Sequence, residues 1–121
     1  MKLDSGRSTV AGLIKDHVLY IALGTGSTAV TKSDTTLVAE TTAAGLARAL
    51  GTGSRITIHD TNDTAKVTKT FTNTSGNPVS ITEYGWFDAA AAGNMIERRV
   101  APAIVVANGE SLVVTFLGNV K

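Results

Sequence analysis

The 121-residue chain has no cysteine. That excludes disulfides, thiol nucleophiles and zinc sites built on thiolates. Aromatic residues are few, with one Trp, two Tyr and three Phe, and no aromatic-plus-basic ladder of the kind that binds single strands is present. Neither sign of charge dominates. Eleven Lys and Arg stand against ten Asp and Glu, a formal charge of +1, whereas nucleic-acid and anionic-membrane binders show a clustered basic face. Neither partner is expected. No apolar run approaches the ~20 residues of a membrane-spanning helix. The segment Met1–Arg7 lacks the apolar core of a signal peptide, and the expectation is a soluble chain made in a cytosol.

Catalytic motifs are missing as well. There is no Gly-x-Ser-x-Gly elbow. The hexamer Ala-Leu-Gly-Thr-Gly-Ser occurs twice, at 22–27 and 49–54. Neither copy is followed by Lys-Ser/Thr at phosphate-loop spacing, and neither has the three-glycine dinucleotide pattern. Both read as a strand running into a loop. No cofactor and no enzymatic activity are expected.

What the sequence does have is β-branched residues in short runs, punctuated by Gly, Asn and Asp. Hydrophobic residues make up 43%, enough for one core in one domain that buries roughly two-thirds of its unfolded surface. The pattern predicts an all-β, antiparallel β-sandwich, jelly-roll-like, with one short helix or helical turn around 34–50. Residues 1–12 read as a flexible N-terminal arm and 13–121 as the domain.

The chain is organised around Val79–Asp88, which holds the only Trp, one Tyr and one Phe. Val79 and Ile81 alternate with Ser80 and Thr82, the period of a half-buried strand. Tyr84, Trp86 and Phe87 break that period. Either both faces are covered there, or a bulge near Gly85 shifts the register. Other expected strands are Val18–Leu23, Ser54–His59 with Ile56 and Ile58 inward, Ala65–Thr72 with Val67 and Phe71 inward, Met95–Ala101, Ile104–Val106 beyond an interrupting Pro102, and Ser111–Leu117 with Leu112, Val114 and Phe116 inward. Asp34 is placed to cap a helical turn containing Leu37 and Val38. Residues 41–50, rich in Ala with Leu46 and Leu50 four apart, read as helix, with an irregular strand as the rival.

Glu83 and Arg98 are the expected structural pair. A hairpin over 81–100 that turns near residue 91 sets Ile81 opposite Val100 and Glu83 opposite Arg98, where a half-buried carboxylate and guanidinium would fix the register. A shift of one residue brings Tyr84 against Arg98 instead, as a cation–π contact. His17, His59, Asp60, Asn62 and Asp63 lack the spacing of a calcium loop or a zinc site and read as a solvated turn. Asn62-Asp-Thr64 and Asn73-Thr-Ser75 match glycosylation sequons.

Three segments, in order, resemble a pattern found in virion structural proteins of tailed bacteriophages. The first is Tyr20–Ala29 with Ser33–Glu40. The second is Thr70–Asn73 with Val79–Asp88. The third is Met95–Arg98 with Ile104–Phe116, which includes Asn108-Gly-Glu-Ser-Leu112. In that pattern an Ile-Thr-Glu-x-Gly-hydrophobic-Phe strand precedes a small-residue hairpin and a returning strand that ends in Arg. Trp86 stands where a smaller aliphatic is usual. The resemblance implies a jelly-roll-type sandwich packed in symmetric copies on a particle. It makes the major capsid protein, other virion subunits and copies of the chain itself, as a trimer or other cyclic oligomer, the expected partners, and the virion the expected location. A capsid decoration role is expected first, then a tail, baseplate or fibre component. A carbohydrate-binding sandwich is a further alternative. Candidate interface residues are Lys2, Leu3, Asp4 and Arg7 in the arm, Thr28 and Val30 in the loop 25–33, and Ala91 and Asn94 at the hairpin tip.

Overall fold

A computed structural model describes residues 19–57 and 64–119. The arm 1–12, with Lys2, Leu3, Asp4 and Arg7, lies outside them. So do Val18, Ile58 and the set His17, His59, Asp60, Asn62 and Asp63. Within the described residues the chain forms seven strands: β1 (Tyr20–Gly24), β2 (Ala49–Leu50), β3 (Thr52–Ile56), β4 (Thr64–Thr72), β5 (Val79–Phe87), β6 (Met95–Val106) and β7 (Ser111–Asn119). They make two antiparallel sheets, ordered β2-β1-β5-β6 and β3-β4-β7. The fold is an antiparallel β-sandwich.

The core follows from alternation. Ile21 and Leu23 of β1, Ile81 and Trp86 of β5, and Val106 of β6 meet Val67 and Phe71 of β4 and Val114 and Phe116 of β7. Trp86 stacks on Phe116 with ring centroids 5.6 Å apart, joining the two sheets. Fully burying side chains of this size stabilises by roughly 1.5–3 kcal/mol each, and the cluster is where most of the large residues go.

The broken period of β5 is resolved by covering both faces. Trp86 is buried and Tyr84 half-buried in the core between the sheets. Phe87 instead packs with Ala22 and Leu37 on the outer face of the four-stranded sheet. The register with β6 also shifts twice, between Ile81 and Glu83 and between Trp86 and Phe87, the second shift falling close to Gly85 as expected. Pro102 does not end a strand: β6 runs through it. Ile81 pairs with Ile104 and Glu83 with Val100, so the extra residues of β6 are absorbed around the proline. As an edge strand, β6 can spare the hydrogen bond that proline lacks.

The expected helix is corrected. The described residues contain no helix. In 41–50, Leu46 donates to the carbonyl of Ala43 and closes a single turn. Gly45 has φ +83°, and a Cβ there would stand 1.8 Å from the carbonyl oxygen of Thr72. A left-handed residue at that point stops helix propagation. Leu46 is buried whereas Leu50 is 54% exposed, so their spacing does not mark one apolar face. Nor does Asp34 cap a turn over Leu37 and Val38: its carboxylate accepts from the amide and hydroxyl of Thr31.

Candidate functional site

The most constrained cluster of side chains is a polar latch on the outer face of the four-stranded sheet. After β1 the chain does not pass directly to another strand. Residues 25–39 fold back over that face, and the segment returns beside β1 through a bridge between Gly24 and Glu40. Thr25 donates to the carbonyl of Ala39, and Thr41 to that of Leu23. This returning segment has few side chains able to anchor it. Leu37 supplies the apolar contact, over Ala22 and Phe87. The rest is held by Glu83, with Thr82 and Arg98 beside it.

Glu83 is fully buried. Its Oε1 accepts from the amide of Val38 at 2.9 Å and from Nε of Arg98 at 3.0 Å; its Oε2 accepts from the amides of Gly26 at 2.9 Å and Ala39 at 2.7 Å. Four donors converge on two oxygens, which is what a buried carboxylate needs to offset desolvation. The neighbouring Thr82 hydroxyl donates to the carbonyl of Gly26 at 2.7 Å. Burial is the largest single influence on the Glu83 carboxyl and pushes its pKa up. The amides of Ala39 and Val38, Arg98 and the amide of Gly26 together outweigh it and hold the pKa below the ordinary value.

Arg98, itself buried, divides its guanidinium among three partners. Nε goes to Glu83, one terminal nitrogen to Asp34 Oδ2 at 3.1 Å, and the other to the carbonyl of Thr28 at 2.8 Å. Bonds from the Thr31 amide and hydroxyl, with a smaller contribution from Arg98, hold the Asp34 carboxyl below its usual range. Glu83 and Arg98 are not directly opposite: Glu83 faces Val100, and Gly85 faces Arg98. The pair is diagonal, and Tyr84 faces Arg99.

The latch needs glycines around it. A Cβ on Gly24 would lie 2.5 Å from Glu83, one on Gly26 2.6 Å from it, and one on Gly85 2.6 Å from the Phe87 ring.

Arg48 makes a second clamp that sequence reasoning missed. Its guanidinium sits 3.6 Å from the Phe87 ring centroid, pairs with Glu40 at 2.8 Å, and donates to the carbonyls of Ala89 and Ala92. The hairpin tip it holds is closed by Asp88, which accepts from the Asn94 amide at 2.7 Å and the Asn94 side chain at 3.0 Å. Those bonds keep the Asp88 carboxyl below its usual range.

At the other end of β5, Asn73 is fully buried. Its Nδ2 donates to the carbonyls of Asn77 and Val106, and its Oδ1 accepts from the amide and hydroxyl of Ser75. With both amide hydrogens engaged, Asn73 offers no acceptor for a glycan in the folded chain.

The candidate interface residues are scattered. Thr28 is exposed but tied by its carbonyl to Arg98. Val30 is 49% exposed beside a cleft of about 260 Å³ that Ile96 also lines. Ala91 is exposed, and Asn94 is exposed but bound to Asp88. Among the described residues no group of three His, Asp or Glu side chains is placed to hold a metal ion. Comparison with known protein families, curated proteins and solved structures finds no match.

Proposed function

We propose that this chain is a structural protein of a tailed-phage particle, of jelly-roll type, and in particular a decoration protein that bridges capsid subunits on the outside of the head. The observation that carries the reading is a coincidence of residues. Glu83, Gly85, Phe87 and Arg98 carry the resemblance to phage virion proteins, and the same four build the latch, the glycine contact and the outer apolar cluster. Their chemistry is spent on fixing shape. A stiff sandwich with long loops pinned to its outer face suits repeated docking on a shell, where many copies turn modest contacts into large avidity. Val30 and Ile96, both about half exposed on the latched face, are the first apolar side chains such a face offers to the major capsid protein.

Electron microscopy of purified particles carrying a labelled copy of the chain tests this. Label on the head surface is the expected result. Label on the tail, baseplate or fibre supports that component instead, and unlabelled particles overturn the virion reading. A carbohydrate-binding sandwich is the alternative from another class. Sugar sites offer exposed aromatic rings, whereas Trp86 is buried against Phe116, and a glycan array is expected to be blank.

A further inference from the structure

The four sheet edges are not protected alike. Strand β2 is only two residues long. Strand β3 is five residues long and carries Gly53 and Arg55. Strand β6 contains Glu97, Arg98, Arg99 and Pro102, and its register shifts twice. Each has a device that discourages a further strand: shortness, charge, proline or a bulge. Strand β7 has none of them. Its nine residues, Ser-Leu-Val-Val-Thr-Phe-Leu-Gly-Asn, carry no charge and no proline. It pairs with β4 over Ser111–Asn119 without a register shift, and among the described residues nothing pairs with its other edge. Its outward side chains include Val113 at 64% and Leu117 at 42% exposure. Beside it the sandwich is open: a groove of about 380 Å³ runs between β7 and β6, lined by apolar side chains including Tyr84, Ile104, Leu112 and Phe116, with Arg99 of β6 the one charged residue on its wall among the described residues.

We propose that β7 pairs antiparallel with β7 of a second copy of this chain, joining two three-stranded sheets into one of six strands across a two-fold axis. The strand suits its own copy because every antiparallel register over 111–117 sets uncharged residues against uncharged residues. A two-fold through Val114 places Val113 beside Thr115 of the copy and brings the two open grooves together. The area fits a dimer that forms only at raised concentration. The seven residues 111–117 that pair across a two-fold at Val114, at ~3.4 Å each, give an edge about 24 Å long, and two layers about 10 Å apart with their side chains give roughly 480 Å² per copy, the size of a weak, concentration-dependent interface. Among the described residues the pairing also closes, because each copy uses its one unprotected edge and presents no second for growth. The inference stands on the sheet edges and not on the virion reading.

Analytical ultracentrifugation of the purified full chain, alone, tests it. The wild type is expected to sediment as a dimer at tens of micromolar. Val113→Lys, at an exposed position, is expected to weaken the dimer at least tenfold while its circular dichroism stays that of the wild type. Val38→Lys, 57% exposed in the latched loop, is expected to leave it unchanged. Amide exchange gives a second readout: the β7 amides that do not bond to β4 should gain protection as concentration rises. A wild type that stays monomeric at 100 µM overturns the proposal, as does a dimer untouched by Val113→Lys. Concentration-independent protection of those amides would place another segment of the same chain on the edge, which also overturns it.

Discussion

The amide of Gly26 donates to Glu83 Oε2 at 2.9 Å, and the same carboxylate oxygen fills the place a Cβ on Gly26 would need, 2.6 Å away. The acceptor is one of two obstacles, the other being the Cβ of Val38, also 2.6 Å away. The loop therefore lies as close to the sheet as a backbone can, and it does so because a buried charge draws it in.

Removing that charge is the largest single perturbation expected. Glu83→Ala strips three loop amides of their acceptor and leaves Arg98 buried with one carboxylate fewer. Breaking one side of a buried pair costs about 3–5 kcal/mol. Urea denaturation should show a loss of that size, and an unchanged midpoint would contradict a buried latch.

Gly26→Ala should cost about 1–3 kcal/mol through overpacking against Glu83 and Val38. The distinguishing control is Gly26→Ala in a Glu83→Ala background, where only the Val38 Cβ still stands in the way and the added cost should shrink. Equal costs in both backgrounds would mean that Val38, and not Glu83, sets the need for glycine.

The pH dependence has a definite sign. Glu83 has a folded pKa below its ordinary value of 4.5. It therefore contributes stability that is fully present above that value and is lost as pH falls through the folded pKa. Asp34 and Asp88 shift in the same direction. Melting temperature should hold from neutral pH down to the ordinary carboxylate range and fall below it. Glu83→Gln should flatten part of that fall, and a parallel fall would assign it to other carboxylates.

Arg48→Ala should destabilise by about 2 kcal/mol, from a lost stack on Phe87 and lost bonds to Glu40, Ala89 and Ala92. Arg48→Lys should recover little of it, because a point charge cannot serve a ring face, a carboxylate and two carbonyls together. Full recovery by lysine would show that charge alone suffices.

What the sequence made legible divides along physical lines. Alternation in β4 and β7 put Val67, Phe71, Leu112, Val114 and Phe116 on their faces correctly, because side-chain period is a local property. Hairpin symmetry brought Glu83 and Arg98 together but set them opposite, whereas Glu83 faces Val100. The extra residues that β6 takes up around Pro102 and Ile96 leave no local pattern. Most partners of Glu83 are backbone amides, which have no residue signature; the hint was the glycines at 24, 26 and 85. Alanine content favoured helix at 41–50, and the left-handed Gly45, set by its approach to Thr72, prevailed.

The central claim is that one buried carboxylate holds residues 25–39 on the sheet. Residue-resolved hydrogen exchange at neutral pH, wild type against Glu83→Gln, tests it most directly. The account predicts that the amides of Gly26, Val38 and Ala39 are protected in the wild type and exchange at least tenfold faster in the variant, while Ile21 and Val67 in the core keep their protection. Equal rates at those three amides in the two proteins would contradict it.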